Sequence, residues 1–171
     1  MKKIILTLFA MLLVLGADAQ SKKYERSGVI EMGYQTDYKR VGIGLQGRYV
    51  LVDKFRIAPE VVFYVPNDKV TGLDFNLNFH YVMNFHIGKH LVSVYPLAGF
   101  GMQNNFYGKR NMHNGNETVT VDSKETSDLA LNIGSGMSIP IGKKSFINAE
   151  TRFMFADSNC IVMFVGYGYK F

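Results

Sequence analysis

The chain has 171 residues, of which 47% are hydrophobic and 19% charged, with a formal net charge of +5, one Cys and no Trp. That length fits one domain, the lone Cys160 excludes an internal disulfide, and no run beyond the first residues is long and apolar enough for a membrane-spanning helix. The basic balance does not point to nucleic acid, because Lys54, Lys69, Lys89, Lys109, Arg110, Lys143 and Lys144 are scattered among connections rather than gathered on one face.

The chain opens with Lys2 and Lys3, an apolar run over residues 4–15 and the small-residue site Ala17-Asp18-Ala19. This order predicts a signal peptide over residues 1–19, with 20–171 as the mature domain. No Cys follows the cleavage point, so a lipid-modified N-terminus is not expected.

Clusters of Gly, Asp, Asn, Lys and Pro then cut the remainder into alternating segments at roughly 28–36, 40–52, 54–66, 71–86, 90–104, 128–142, 145–156 and 160–171. No segment has a helical period. The fourth is the clearest: Leu73, Phe75, Leu77, Phe79, Tyr81, Met83 and Phe85 alternate with Asp74, Asn76, Asn78, His80, Val82 and Asn84. A period of two means a strand with one apolar and one wet face. The links near Asp53, at Gly88-Lys89 and at Gly142-Lys143-Lys144 are tight, and all fall on the side where the strand domain begins and ends. On the other side a polar stretch, 105–127, reads as a long external loop, in which 118–121 could prolong strands beyond a membrane.

Alternation alone does not say which face is inside, since a soluble lipocalin-like barrel buries its apolar face and a membrane barrel turns it outward. The wet face decides. It carries small and uncharged residues (Gly42, Gly44, Gln46; Gly99, Gly101, Gln103; Ala130, Asn132, Gly134, Gly136, Ser138), which suit a cramped interior. Its few mid-strand charges have both signs: Arg48, Arg56, Glu60, Glu150 and Arg152. Arg48 and Glu60 fall on a diagonal if the second and third strands form a hairpin at Asp53. The opposite face, with Val41, Ile43, Leu45, Val61, Phe63, Leu129, Leu131 and Ile133, has no Arg or Lys at its middle, where one would cost about 2–4 kcal/mol in lipid.

The last strand places Ile161, Met163, Val165, Tyr167, Tyr169 and Phe171 on one face. Gly166, Tyr169 and the terminal Phe171 resemble the C-terminal signal by which outer-membrane barrels are recognised for assembly, although Phe164 stands where that signal has a polar residue. The mature chain as a whole resembles the small eight-stranded outer-membrane β-barrels of OmpX and OmpA-barrel size. The resemblance implies an all-β fold, a closed eight-stranded antiparallel up-and-down transmembrane β-barrel. It also implies residence in the bacterial outer membrane, with lipid and the barrel assembly machinery as partners, and a structural or surface-interaction role in which residues 105–127 meet a surface partner. A narrow or gated pore is the alternative. The oligomeric state is not legible.

The polar lumen residues Arg48, Arg56, Glu60, His80, Glu150 and Arg152 read as a structural network that satisfies buried charge, rather than as an ion path. His80 is expected to hydrogen-bond among Asn76, Asn78 and Asn84. His86 and His90 lack a third ligand, so no metal site or cofactor is expected. An outer-leaflet lipid enzyme would need His, Ser and an acid at the rim. His113, Ser123, Asp122 and Glu125 lie in flexible-looking sequence with nothing to fix a triad, so no catalytic residue is assigned. Gly134-Ser135-Gly136 lacks the Lys and the following helix of a phosphate loop. Cys160 is expected at an external connection, where a thiol can react or pair between chains, and the favoured reading there is an incidental small residue.

Overall fold

The structure is a computed structural model and describes residues 25–88, 90–114 and 117–171. The segment read as a signal peptide lies outside these residues.

The strands in chain order are β1 (Arg26–Gln35), β2 (Arg40–Val52), β3 (Phe55–Asn67), β4 (Val70–Tyr81), β5 (Met83–Ile87), β6 (His90–Tyr107), β7 (Arg110–Asn114), β8 (Glu117–Val121), β9 (Lys124–Pro140), β10 (Ser145–Phe155) and β11 (Cys160–Lys170). β4 and β5 are one stave interrupted at Val82, and both pair with β6. The sheet runs β4-β3-β2-β1-β11-β10-β9-β6-β5, and the β4–β6 pairing closes it into an all-antiparallel barrel of eight staves. β7 and β8 form a separate two-stranded ribbon.

Burial follows the predicted parity. Phe75, Leu77 and Phe79 are 46%, 42% and 45% exposed on the outside, whereas Asp74, Asn76, Asn78 and His80 between them are buried. On β11, Ile161, Met163, Val165, Tyr167 and Tyr169 point outward, while Cys160, Val162 and Phe164 fill the interior. A soluble barrel with an apolar core requires the reverse. Aromatic residues ring both rims: Phe55, Tyr167, Tyr169 and Phe171 at the end carrying the termini, Tyr34, Phe63, Phe106 and Phe155 at the other. This is the girdle arrangement of a membrane-spanning barrel.

Three details depart from the sequence reading. The supposed loop 105–127 is mostly strand: β6 continues to Tyr107 and β9 starts at Lys124, in register through Asn105↔Thr126, Phe106↔Glu125 and Tyr107↔Lys124. Polar residues on both faces erase the period-two signal there, yet the backbone ladder needs no apolar face to persist. Met83, read as lipid-facing, is buried. It sits where pairing with β3 has ended at Phe55↔Tyr81 and the stave holds only to β6. Cys160 is buried inside the barrel rather than exposed at a connection, because it shares the inward parity of Val162 and Phe164.

The turns are short. Asp68 and Lys69, with φ of 48° and 65°, join β3 to β4 as a two-residue turn with both residues left-handed, the backbone that matches strand twist in a hairpin. Replacing the outward Leu77 by Arg should destabilise the barrel in lipid by about 2–4 kcal/mol, whereas Leu77→Val should cost about 1 kcal/mol. Urea titration in liposomes, read by heat-modifiable gel migration, measures both, and equal effects would contradict the face assignment.

Candidate functional site

The lumen is built from inward side chains of every stave, so its chemistry is set by strand register. At mid-height Arg152 (β10) forks onto Glu60 (β3) across the barrel: Nη1 donates to Oε1 at 3.0 Å and Nη2 to Oε2 at 2.5 Å. The same Nη1 reaches Glu150 Oε1 at 3.3 Å. Glu60 also accepts from Asn76 Nδ2 at 2.8 Å and from Gln46 Nε2 at 3.4 Å. Asn132 Nδ2 extends the chain by donating to Asn76 Oδ1 and Asn78 Oδ1, each at 3.0 Å. Arg48 does not pair with Glu60, although the two lie on the predicted diagonal. Gln46 stands directly opposite Glu60, and Arg48 Nε donates to Gln46 while its Nη2 reaches Glu150 Oε2 at 3.8 Å. The barrel is narrow enough for cross-lumen partners to compete with hairpin partners.

Nearer the termini, Tyr95 organises a second layer. Its Oη accepts from Arg48 Nη2 at 3.1 Å and lies 2.7 Å from Asn148 Oδ1 and 3.0 Å from Glu150 Oε2, to which it offers its proton. The His80 ring stacks on Tyr95 with centroids 4.5 Å apart. His80 does not bond among the amides as expected. Arg56 donates to its Nδ1 from Nε at 3.2 Å and Nη2 at 2.8 Å. Because Nδ1 accepts, the imidazole proton belongs on Nε2, which is buried without a partner. All six predicted network residues therefore meet inside the lumen, in two linked layers.

Toward the far end the interior turns apolar, with Val62, Tyr64, Ala130, Met154, Cys160, Val162 and Phe164 packed together. The Phe164 ring, the residue that departs from the usual terminal signal, has room because Gly33 faces it; a Cβ at Gly33 would lie 2.3 Å from the ring. Above this plug Arg40 spans the mouth. Its guanidinium sits over the rings of Tyr38 and Tyr64 at 4.5 and 4.6 Å and donates to Gln35 Oε1 and Asn105 Oδ1, both at 2.7 Å. In the β1–β2 turn, burial raises the Asp37 carboxyl and the Tyr38 phenol above their ordinary values, and the 2.7 Å bond between Tyr38 Oη and Tyr107 Oη pushes the phenol further the same way.

Several members escaped the sequence reading. Glu31 on β1 is buried in contact with Glu60, and its parity with Val29, Gly33 and Gln35 marked it as inward. Tyr95 reads as one more apolar strand residue until its hydroxyl partners are known. Arg40 stands at a strand start and looks like a turn charge. Cys160 Sγ lies 3.5 Å from Gln35 Nε2 and 3.6 Å from Gln103 Nε2. Among the described residues no group of three or more His, Cys, Asp or Glu is placed to hold a metal.

In the middle of β11, opposite Glu31, Gly166 faces inward, where an added Cβ would meet Ile30 O at 2.6 Å and Glu31 Cβ at 2.7 Å. Tyr169 and Phe171 face outward with rings 5.9 Å apart, and Phe171 N donates to Arg26 O at 3.0 Å.

A closed ladder, an apolar exterior and a polar, ion-paired interior define a transmembrane β-barrel of the outer-membrane type. Solved structures share this fold at low sequence identity. The N-terminal β-barrel domain of Pseudomonas aeruginosa OprF superposes with a TM-score of 0.64 at 17% identity, covering 87% of this chain and 98% of that one. Ail, the attachment invasion locus protein of Yersinia pestis, gives 0.55 at 18% identity, covering 87% and 99%. Neisserial surface protein A gives 0.53 at 10% identity, covering 90% and 98%. The likeness is to the small eight-stranded outer-membrane barrels of the OmpX and OmpA-barrel kind. No protein-family model and no curated protein matches the sequence.

Removing one partner of the central fork leaves the other charge buried, so Arg152→Met should cost about 3–5 kcal/mol. The double variant Arg152→Met/Glu60→Gln should recover part of that loss. A double-mutant cycle by urea unfolding in liposomes measures the coupling, and strict additivity would contradict the fork.

Proposed function

We propose that this protein resides in the bacterial outer membrane as a sealed structural barrel that presents residues 105–127 as a contact surface. The observation that carries the reading is the height of β9. Its ladder with β10 stops at Leu131↔Phe155, yet its ladder with β6 runs on to Lys124↔Tyr107, and the β7–β8 ribbon follows. Residues 124–130 thus stand above the β10 rim without a partner on that side, and an unpaired strand edge is a template for another chain. A barrel that needed only to close would gain nothing from this overhang.

The filled interior supports the structural side of the proposal. From the termini outward the Tyr95 layer, the fork of Arg152 on Glu60, the apolar plug and Arg40 succeed one another along the axis, as expected where eight strands leave room only for side chains. A non-enzymatic role agrees with the rim chemistry: Asp122 is an exposed partner of Lys109 at 3.5 Å rather than the orienting acid of a triad. OprF, Ail and Neisserial surface protein A lend the fold alone. The proposal includes Gly166, Tyr169 and Phe171 as the determinant read by the barrel assembly machinery.

Planar-bilayer recording of the purified protein tests the sealed lumen. Silence is expected; stepwise currents that cross-linking of the lumen abolishes would replace this reading with a pore. Ser123→Cys in intact cells should label with a membrane-impermeant maleimide while the buried Cys160 of the parent chain stays unlabelled, and the reverse pattern would overturn the presentation of 105–127. Deleting Phe171 should lower assembled barrel several-fold with export unchanged, as measured by heat-modifiable migration and signal-peptide cleavage.

A further inference from the structure

At the end of the lumen that carries the termini lies a cavity of about 290 Å³, below the His80 and Tyr95 layer. Its charge is unbalanced. Arg56, Lys143 and Lys170 line it together with a single acid, Glu25, and that acid is already held by Lys170 at 2.9 Å. Arg56 differs from the other arginines of the interior. Arg48 and Arg152 have carboxylates, and Arg40 is sandwiched between two rings and bonded to two amides. Among the described residues Arg56 has the neutral acceptor Nδ1 of His80 and the face of Tyr95 at 4.6 Å, with no carboxylate at ion-pair distance. Its Nε and Nη2 are committed to His80, while Nη1 has no hydrogen-bond partner among the described residues and belongs to the side chain that forms the cavity wall. Glu25 and Glu150 act on this guanidinium only from beyond ion-pair distance, so in the mouth of the barrel it favours the approach of an anion.

The walls specify more than charge. Val50, Leu91 and Phe146 present apolar surface, and Ser27, whose hydroxyl has no side-chain hydrogen bond among the described residues, lines the cavity beside them. Ser93 and Ser138 already donate to Asn84 and Asn148, so the cations and Ser27 are the donors left for a ligand. We propose that this vestibule is a binding site for a small organic carboxylate, with Arg56 and Lys143 taking the carboxylate and the apolar wall taking the carbon body. The volume is at the lower end of ligand cavities, which sets the size of the acid: a free metabolite or the carboxyl end of a short peptide. The proposal goes beyond the surface role and does not depend on it.

Titrating the folded protein in lipid nanodiscs, with backbone amide shifts of Ser27 and Ser93 read by NMR, tests the site. Hexanoate is the probe, with hexanamide and inorganic phosphate as comparisons, and acetyl-D-alanyl-D-alanine distinguishes a peptide terminus from a free acid by which of the two binds more tightly. Hexanoate should give saturable shifts, hexanamide none in the same range, and phosphate weaker ones. Arg56→Gln should raise the Kd about tenfold and Lys143→Gln about threefold. Equal binding of hexanoate and hexanamide would overturn the anion site, as would an unchanged Kd in both variants. Phosphate binding as tightly as hexanoate would overturn the apolar half of the claim. Should Arg56→Gln fail to show heat-modifiable migration, the exposed Lys143→Gln and the hexanoate–hexanamide pair decide.

Discussion

The structure depends on the pairing of its first stave with its last. β1 and β11 run in register from Ser27↔Lys170 to Gln35↔Val162, and this seam converts an open sheet into a ring. In hydrocarbon each unsatisfied backbone group costs several kcal/mol, and no water is present to take the place of a missing strand. A sheet with the same sequence and no seam would expose two edges along their whole length. Closure also dictates the inside: once the ring is shut, inward side chains of eight staves share one narrow column, and their volumes and charges must be mutually consistent.

Backbone ladders tie each stave only to its neighbours. The ion network does something different, joining β3, β4 and β10 through Glu60, Asn76 and Arg152, and β2 to β10 through Arg48 and Glu150. Buried ion pairs are poor contributors to net stability, because desolvation cancels much of their attraction. Their value here is positional. A slip of one stave by two residues keeps the lipid face apolar, so hydrophobicity does not oppose it. The same slip pulls Arg152 away from Glu60 and strands two charges. Gly136 serves the same end, since a Cβ there would lie 2.4 Å from the Tyr95 hydroxyl that gathers Arg48, Asn148 and Glu150.

What could be read in the sequence divides along this line. Strand number, parity and the lipid face follow from a period of two, which Leu73 through Phe79 display almost without noise. The inward location of Arg48, Arg56, Glu60, His80, Glu150 and Arg152 follows from the same parity. Their partners do not, because who meets whom across the lumen is set by strand tilt and stagger rather than by spacing along the chain. Hence Arg48 was matched with its diagonal neighbour on the hairpin and found with Glu150, and His80 was expected among amides and found under Arg56. The 105–127 segment is illegible for another reason: periodicity reports an apolar face set against a polar one, and at this end β6 and β9 carry polar residues on both faces. Cys160 stands next to a turn, yet its parity with Val162 puts it inside.

The two ends of the column are built to different rules. Away from the termini, Arg40 lies over the ring of Tyr38 beyond the apolar plug, and Tyr38 is tied to Tyr107 through their hydroxyls at 2.7 Å. Toward the termini the barrel opens into a cationic vestibule lined by Arg56, Lys143 and Lys170, and Arg56 in its wall bonds to His80 of the stacked His80–Tyr95 pair. A solute entering from that end meets a guanidinium it can neutralise, then a ring stack, then ion pairs already satisfied by one another. Moving past Arg56 would require breaking contacts that no single small anion replaces. On the proposed reading the charge distribution favours arrival over passage, so that one lumen would be closed to transport and still offer a polar site on a single face of the membrane.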